Sequence, residues 1–171
     1  MLRPAVTGRK SVDEFVSLIW DIEKRFAIPN KYHAVGISMG GANLAILCTQ
    51  VPALFEKCAL LNPMLVRADQ FSEDLMTDVK AGNYAGLIVN DHYTKSEWQT
   101  SNPFSLLEKA EKITPMWMTA CPDDGFKLYD NAHTWAGQAI VLKHDVTWRP
   151  AGAGCKHSSP MLDGLSEWLK R

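Results

Sequence analysis

The feature that most constrains the fold is an apolar stretch that runs directly into a glycine–serine turn. Residues 32–41 read YHAVGISMGG. The apolar residues before Gly36 predict a strand that ends there, and the apolar run after Ser38 predicts a helix that begins at once. Gly36, Ser38 and Gly40 form a G-x-S-x-G pattern, which between a strand and a helix indicates a sharp turn with an outward-pointing hydroxyl. We expect any side chain at Gly36 or Gly40 to collide where the strand and the helix cross.

Ser38 has two interpretations. A serine between a strand and a helix often serves only as the helix N-cap. The flanking glycines favour a nucleophile instead. The following helix would also direct its unpaired N–H groups and the positive end of its dipole at an oxygen that gains negative charge. We therefore interpret Ser38 as a candidate nucleophile.

The charge balance argues against some classes of partner. The 171 residues contain 18 Lys and Arg against 19 Asp and Glu, a net charge of −1. A nucleic-acid-binding chain would carry a basic excess, so we expect no nucleic-acid partner. No apolar run approaches the roughly 20 residues of a membrane span, and residues 1–6 are too short for a signal peptide. The length is that of one domain.

The four cysteines show no metal-binding or redox spacing. They are Cys48, Cys58, Cys121 and Cys155, and no two of them form a C-x-x-C pair. Two lie in segments that we predict to be core helix or strand, where a free thiol packs as a small apolar group. We therefore expect reduced cysteines, no metal and no cofactor, and reduced thiols favour a cytoplasmic location.

Strand and helix signals alternate along the chain. Ser11 and Glu14 predict a capping box that opens a first helix, which Pro29 ends. The helix after Ser38 is apolar on nearly every side, so we expect it to be buried. Further strands are predicted at 58–63, 115–121 and 145–149, and further helices at 128–141 and from Pro160, the last burying Leu162, Leu165, Trp168 and Leu169.

This alternation predicts an α/β fold, with a parallel sheet that has helices on both faces, in a single domain over residues 1–171. Residues 64–111 differ in character, because charges and Gly/Asn breakers increase there. We predict that they form an insertion capping one end of the sheet, with short helices near 71–81, 83–90 and 103–112.

Reactive side chains follow three of the predicted strands. Ser38 follows the first, Asp123 and Asp124 follow the third, and His157 follows the last. The carboxyl ends of parallel strands share one edge of the sheet. A histidine can take the serine proton and a carboxylate can orient the histidine, so these residues are typical of a hydrolytic triad. The other histidines lie in the first strand, in the cap or beside a helix, and are His33, His92, His133 and His144.

With its reactive residues in the order Ser, Asp, His, the sequence resembles the α/β-hydrolase superfamily. More narrowly, it looks like the esterase D-type and related esterases. The segments that carry the likeness are 36–41, 102–104, 121–126 and 156–158, and the resemblance covers roughly residues 11–171. It implies a serine carboxylesterase that cleaves a small ester or thioester through an acyl-enzyme.

The resemblance also assigns roles. It makes Ser38 the nucleophile and His157 the general base. It makes Asp124 the acid, with Asp123 as the alternative, and it makes the Met39 backbone N–H a donor in the oxyanion hole.

The strand–turn–helix junction around Ser38, residues 36–41, is called the elbow below, and the chain differs from these relatives in the part that precedes it. They have several strands there, and a loop after an early strand supplies a second oxyanion donor. Only 31 residues precede Tyr32 here, with one predicted helix. The resemblance therefore implies an N-terminally truncated form of the fold with an exposed strand edge. We expect the chain to associate with itself or with the missing N-terminal portion. The alternative function is a non-catalytic module for binding or assembly, and a peptidase or lipase would use the same triad.

Overall fold

The computed structural model describes residues 9–27, 32–71, 94–157 and 162–171. They form a four-stranded parallel sheet in the order β1-β2-β3-β4. The strands are β1 (His33–Ile37), β2 (Lys57–Leu61), β3 (Met116–Thr119) and β4 (Val146–Trp148). The helices are α1 (Arg9–Phe26), α2 (Met39–Gln50), α3 (Lys95–Ser101), α4 (Pro103–Lys109), α5 (Tyr129–Val141) and α6 (Leu165–Leu169), with a 3₁₀ turn at Ala68–Gln70. None of these helices is both long enough and apolar enough to cross a membrane.

Helices cover both faces of the sheet. On β2, Cys58 and Leu60 face the main core together with α2 and α5, whereas Ala59 and Leu61 face α6. Successive residues of β2 are therefore apolar, as is usual for an inner strand of a parallel sheet. These features confirm the predicted α/β class, and each of the four predicted strands is present at nearly the predicted position.

Strand β1 lies at one edge of the sheet. Val35 and Ile37 face the same side as their register partners Ala59 and Leu61. The exposed fractions of Val35 and Ile37 are 58% and 49%, against 1% and 3% for their partners, because α6 packs on the inner strands β2 and β3 and not on β1. Within the described residues, apolar surface is thus open at the strand that precedes the elbow, as the sequence predicts.

The start of α1 differs from the prediction. The helix begins at Arg9, so Ser11 lies inside it and is not its N-cap. The predicted capping box between Ser11 and Glu14 is therefore wrong. The end of the helix agrees with the prediction, because α1 stops at Phe26, before Pro29.

The last helix is shorter than predicted. It begins at Leu165, directly after Gly164, whose φ of 85° lies in the left-handed region and interrupts a right-handed helix. The predicted helix from Pro160 is therefore wrong over residues 162–164, which are not helical, and Pro160 itself lies outside the described residues. Leu162 is 51% exposed instead of buried, whereas Leu165 and Trp168 are buried as predicted.

The predicted cap is described only in part. The helices predicted near 71–81 and 83–90 fall almost entirely on residues 72–93, outside the described residues. The helix predicted near 103–112 is present as α4. Helix α3 is absent from the sequence-based assignment, although it has a recognisable T-x-x-E signal. Its Glu97 accepts hydrogen bonds from the backbone N–H and the hydroxyl of Thr94, at 2.9 and 2.8 Å, and these bonds lower the pKa of Glu97.

Candidate active site

Ser38 occupies a strained turn at the carboxyl end of β1. Its φ of 53° and ψ of −118° are unusual for a residue with a side chain, and such a conformation costs about 1–3 kcal/mol. The neighbouring backbone holds it in place. The Ser38 N–H donates to the Leu61 carbonyl at 3.0 Å. The Ser38 carbonyl accepts from the N–H groups of Ala42 and Met64, at 3.1 and 2.9 Å. The strained conformation is therefore held by hydrogen bonds to α2 and to the chain at the end of β2.

The Ser38 hydroxyl is not used as a helix cap. Ser38 stands at the N-cap position of α2, but its side chain makes no capping hydrogen bond. The first N–H groups of the helix, that of Met39 included, have no intrahelical partner. The N-cap interpretation of Ser38 thus lacks the hydrogen bond that would define it. The half-buried side chain remains available for chemistry.

Two glycines make the sharp turn possible, and one of them, Gly36, is among the predicted pair. A Cβ on Gly36 would collide with the Gly40 carbonyl oxygen, as the sequence predicts. A Cβ on Gly40 would meet nothing within 4 Å, so the predicted collision there is wrong. The close approach is one residue later, because a Cβ on Gly41 would lie 2.8 Å from the Pro63 side chain. The strand and helix therefore cross at Gly36 and Gly41.

The carboxylate of Asp124 is buried in the turn after β3. Asp124 is 6% exposed, whereas Asp123 is on the surface. The turn fixes Asp124 through its own N–H, which donates to the Cys121 carbonyl at 3.3 Å. Its Oδ1 accepts from the Phe126 N–H at 3.2 Å, and its Oδ2 lies 3.1 Å from His157 Nδ1. The structure therefore brings Asp124, and not Asp123, to the histidine.

His157 contacts Asp124 through one of its ring nitrogens, Nδ1, which leaves Nε2 available to another group. An ionised carboxylate only accepts hydrogen bonds, so Nδ1 carries the proton and Nε2 is the basic nitrogen. The Phe126 ring lies 4.8 Å from the imidazole, centroid to centroid, and limits its rotation. Among the described residues no hydrogen bond joins His157 to the Ser38 hydroxyl. In unliganded sites such catalytic contacts are often long.

The loop that carries His157 crosses back over the sheet. Strands β4 and β1 are three strand spacings apart, about 14 Å. Asn62, directly after β2, donates from its side-chain amide to the His157 carbonyl at 3.0 Å. Its side-chain oxygen accepts from the Cys121 N–H at 2.7 Å. His157 is therefore tied to the end of the strand next to the one that carries Ser38.

Asn62 is fully buried and belongs to none of the sequence motifs described above. Its φ of 42° is in the left-handed region, which asparagine tolerates better than most residues. The available signal is its position, because it is a polar residue at the carboxyl end of an otherwise apolar strand and directly before Pro63.

A disulfide joins Cys121 to Cys155, with their Cα atoms 5.7 Å apart. The expectation that all four cysteines are reduced is therefore wrong for this pair, whose partners are 34 residues apart and show no spacing signal. Cys48 and Cys58 are free and buried, with their sulfur atoms 2.7 Å apart. Disulfides are rare in the cytosol, so the cytoplasmic location loses the observation on which it rested.

Other features of the described chain do not add to this site. No three His, Cys, Asp or Glu side chains in the described ranges come together in a way that could hold a metal ion. A cavity of about 440 Å³ is lined by residues of β3, β4, α6 and the adjoining loops, among them Trp117, Arg149 and Trp168. It lies on the α6 face of the sheet, and none of the candidate triad residues lines it.

Comparison with solved structures identifies the fold. The chain is similar to an acylaminoacyl peptidase from Pyrococcus horikoshii, with 14% identity over 86% of this chain and 23% of that chain and a TM-score of 0.66. It is similar to a fungal esterase from Rhizomucor miehei, with 19% identity over 95% of this chain and 58% of that chain and a TM-score of 0.66. An S-formylglutathione hydrolase from Agrobacterium tumefaciens shares 17% identity over 82% of this chain and 48% of that chain, with a TM-score of 0.55.

These likenesses confirm the predicted resemblance at the level of the fold, which is that of the α/β-hydrolases. The chain spans between 23% and 58% of the lengths of these three proteins. No protein-family model matches the sequence, and no curated protein matches it.

Proposed function

We propose that this chain is a serine hydrolase of the carboxylesterase type that cleaves a small ester or thioester through an acyl-enzyme on Ser38. One observation carries the proposal: a serine held in a strained turn, with its hydroxyl unused as a cap, lies at the same carboxyl end of the sheet as a half-buried His157 that is paired with a buried Asp124. Strained residues persist mainly where function requires them. The fold that the chain shares with esterases and peptidases supports the same reaction class.

In the first half-reaction the Ser38 oxygen attacks the carbonyl carbon of the ester while His157 Nε2 takes the hydroxyl proton. Asp124, bonded to Nδ1, orients the ring and stabilises the imidazolium. The bond from the carbonyl carbon to the leaving oxygen or sulfur then breaks, and His157 returns the proton to the leaving group. The products are acyl-Ser38 and a free alcohol or thiol.

In the second half-reaction water replaces the leaving group. His157 takes a proton from water as the water oxygen attacks the acyl carbon, and then returns that proton to the Ser38 oxygen as the acid leaves. Both steps place negative charge on the carbonyl oxygen. The Met39 N–H at the start of α2 is directed at this charge, and one such donor contributes roughly 3 kcal/mol to lowering the barrier.

The substrate and partner proposals follow from the surroundings of the site. Residues 64–111, which reach the Ser38 turn through the Met64 N–H, would set the size of the acyl or alcohol group. We expect a small-molecule ester and no nucleic-acid or membrane partner. The open apolar edge at Val35 and Ile37 supports association with a second copy or with an N-terminal portion of the fold.

A non-catalytic module for binding or assembly is the second candidate. One observation favours it: in the described residues no hydrogen bond joins Ser38 to His157. Such a module would retain the fold and lack turnover.

Hydrolysis of p-nitrophenyl acetate separates the two candidates. The proposed hydrolase releases nitrophenolate continuously, and Ser38→Ala and His157→Ala each reduce the rate to that of buffer. The acetyl group should appear transiently on Ser38 in rapidly quenched samples analysed by peptide mass spectrometry. Folded protein that shows no turnover above buffer favours the binding module, and turnover that survives Ser38→Ala rejects the proposed nucleophile.

A further inference from the structure

The segment that carries His157 has few anchors of its own. It follows β4, which has three residues, and it runs through Gly152 and Gly154 before reaching the histidine. Gly154 has a φ of 80°, so the loop includes a left-handed position. Only ties to other elements can therefore fix the imidazole relative to Asp124.

Two such ties meet at one residue, Cys121. Its sulfur forms the disulfide with Cys155, two residues before His157, and its N–H donates to the Asn62 side chain. Cys121 is also three residues before Asp124 and accepts that residue's N–H through its carbonyl. The turn that carries the acid and the loop that carries the histidine are thus joined covalently beside the site.

Asn62 provides the second tie between the turn of Asp124 and the loop of His157. Its amide bridges the Cys121 N–H and the His157 carbonyl, and its own N–H donates to Thr119 at the end of β3. Cys121, Cys155 and Asn62 are all buried, so these ties are shielded from water and hold a fixed geometry.

We infer that the Cys121–Cys155 disulfide and Asn62 are positioning elements, which hold His157 against Asp124 so that hydrolysis depends on the disulfide being oxidised. The inference rests on the proposed function for its activity readout.

The inference also predicts that activity responds to reduction and reoxidation of the disulfide. A dithiol such as dithiothreitol reduces the disulfide to two cysteine thiols and becomes a cyclic disulfide. Oxidised glutathione reverses the change and becomes two molecules of reduced glutathione. With the covalent tie removed, the imidazole loses its alignment, although Asn62 still holds the loop backbone at one point.

Two measurements on the folded protein test the inference. The first is the rate at which a fluorophosphonate labels Ser38, with the protein oxidised, reduced and reoxidised. Misplacement of a catalytic group by about 1 Å can cost about a hundredfold in rate, so we expect labelling to slow by at least about tenfold on reduction and to recover on reoxidation. The second is the low-field proton NMR signal of the His157 Nδ1–H bonded to Asp124, which should be present in the oxidised protein and lost in the reduced one. A disulfide that only adds stability would leave this signal unchanged below the unfolding temperature.

Matched variants show which of these residues causes the change in labelling rate and in the NMR signal. Cys121→Ser/Cys155→Ser should behave as the reduced protein does and should not respond to dithiothreitol. Cys48→Ala/Cys58→Ala should respond as the wild type does, because those thiols are outside the connection. Asn62→Asp retains the acceptor but loses the amide donor to the His157 carbonyl, so it should weaken the NMR signal while the disulfide stays intact.

The outcomes separate the two proposals. Reduced, folded protein that is labelled at the full rate and keeps its Nδ1–H signal overturns the inference. If the oxidised protein is not labelled at all, the proposed function fails. The NMR signal then decides the inference alone, which stands if reduction abolishes the signal and falls if the signal persists.

Discussion

The serine elbow and the Asp124–His157 pair both lie at the carboxyl end of the sheet, but they are held in place by different means. The elbow is local, because its strained geometry follows from glycines and backbone hydrogen bonds within the β1–α2 junction and the neighbouring end of β2. The acid and the histidine are 33 residues apart and meet through a disulfide and a buried asparagine. Local turn geometry of this kind forms wherever its few residues are present. Long-range contacts depend on side chains that no short sequence pattern identifies.

This difference predicts that the elbow is sensitive to atoms added close to its backbone, whereas the acid–histidine pair is sensitive to the charge and hydrogen bonding of its side chains. Substitutions in the first region, other than those of Ser38 itself, should mainly change the free energy of unfolding. Substitutions in the second should mainly change the rate of the reaction.

Gly36→Ala should be the most damaging single change. Its Cβ would lie within 3 Å of backbone atoms of Gly40 and Gly41, which cannot move aside as a side chain can. We expect a loss of more than about 3 kcal/mol in the free energy of unfolding, measured by urea denaturation. Gly40→Ala is the matched control in the same motif. It has open space around its Cβ and should be close to neutral, and equal destabilisation by both variants would reject the described crossing.

Asp124→Asn should leave the fold intact and remove most of the activity. The amide still fits beside His157 Nδ1, but it no longer stabilises the imidazolium. In a serine triad this change costs on the order of 10⁴-fold in rate. Asp123→Asn is the control, because that side chain is on the surface, and its ester hydrolysis should stay within about twofold of the wild type, as expected for a surface substitution. If Asp123→Asn is the inactive variant, Asp123 is the acid.

Ser38→Gly should stabilise the protein while abolishing labelling. Glycine adopts a φ of 53° without the strain that serine carries there. Relief of that strain, less the extra freedom of glycine in the unfolded chain, should raise the free energy of unfolding by about 1 kcal/mol. Ser38→Ala keeps the strain and loses only the hydroxyl, so it should be less stable than Ser38→Gly. Equal stability of the two variants would show that the elbow stores no strain.

The free thiols should produce the smallest effect, visible only at alkaline pH. The neighbouring Cys48 thiol and burial raise the pKa of Cys58 far above its usual range. The unfolded chain loses this proton above about pH 8.5 while the folded protein keeps it, so stability should fall as pH rises, by at most about 1.4 kcal/mol per pH unit. Wild type and Cys58→Ala should therefore differ in the slope of unfolding free energy above this pH, and parallel slopes would contradict the raised pKa.

The same contrast explains how much the sequence could predict. The elbow, its strand and its buried helix are encoded by consecutive residues, so their pattern could be recognised. The position of the close crossing could not, because Gly40 and Gly41 differ only in which one faces Pro63. Turn chemistry likewise allows either Asp123 or Asp124 to face inward, and the resemblance, not the turn, favoured Asp124. The Cys121–Cys155 disulfide and the bridging role of Asn62 exist only once the strands are assembled.

Fluorophosphonate labelling of folded, oxidised protein, with the adduct located by peptide mass spectrometry, tests directly whether Ser38 is an activated nucleophile. We expect a single adduct on Ser38, which is absent in Ser38→Ala and forms more slowly in Asp124→Asn. No adduct on folded wild-type protein, or an adduct on a different residue, would contradict the claim that this elbow presents a nucleophile activated by His157 and Asp124.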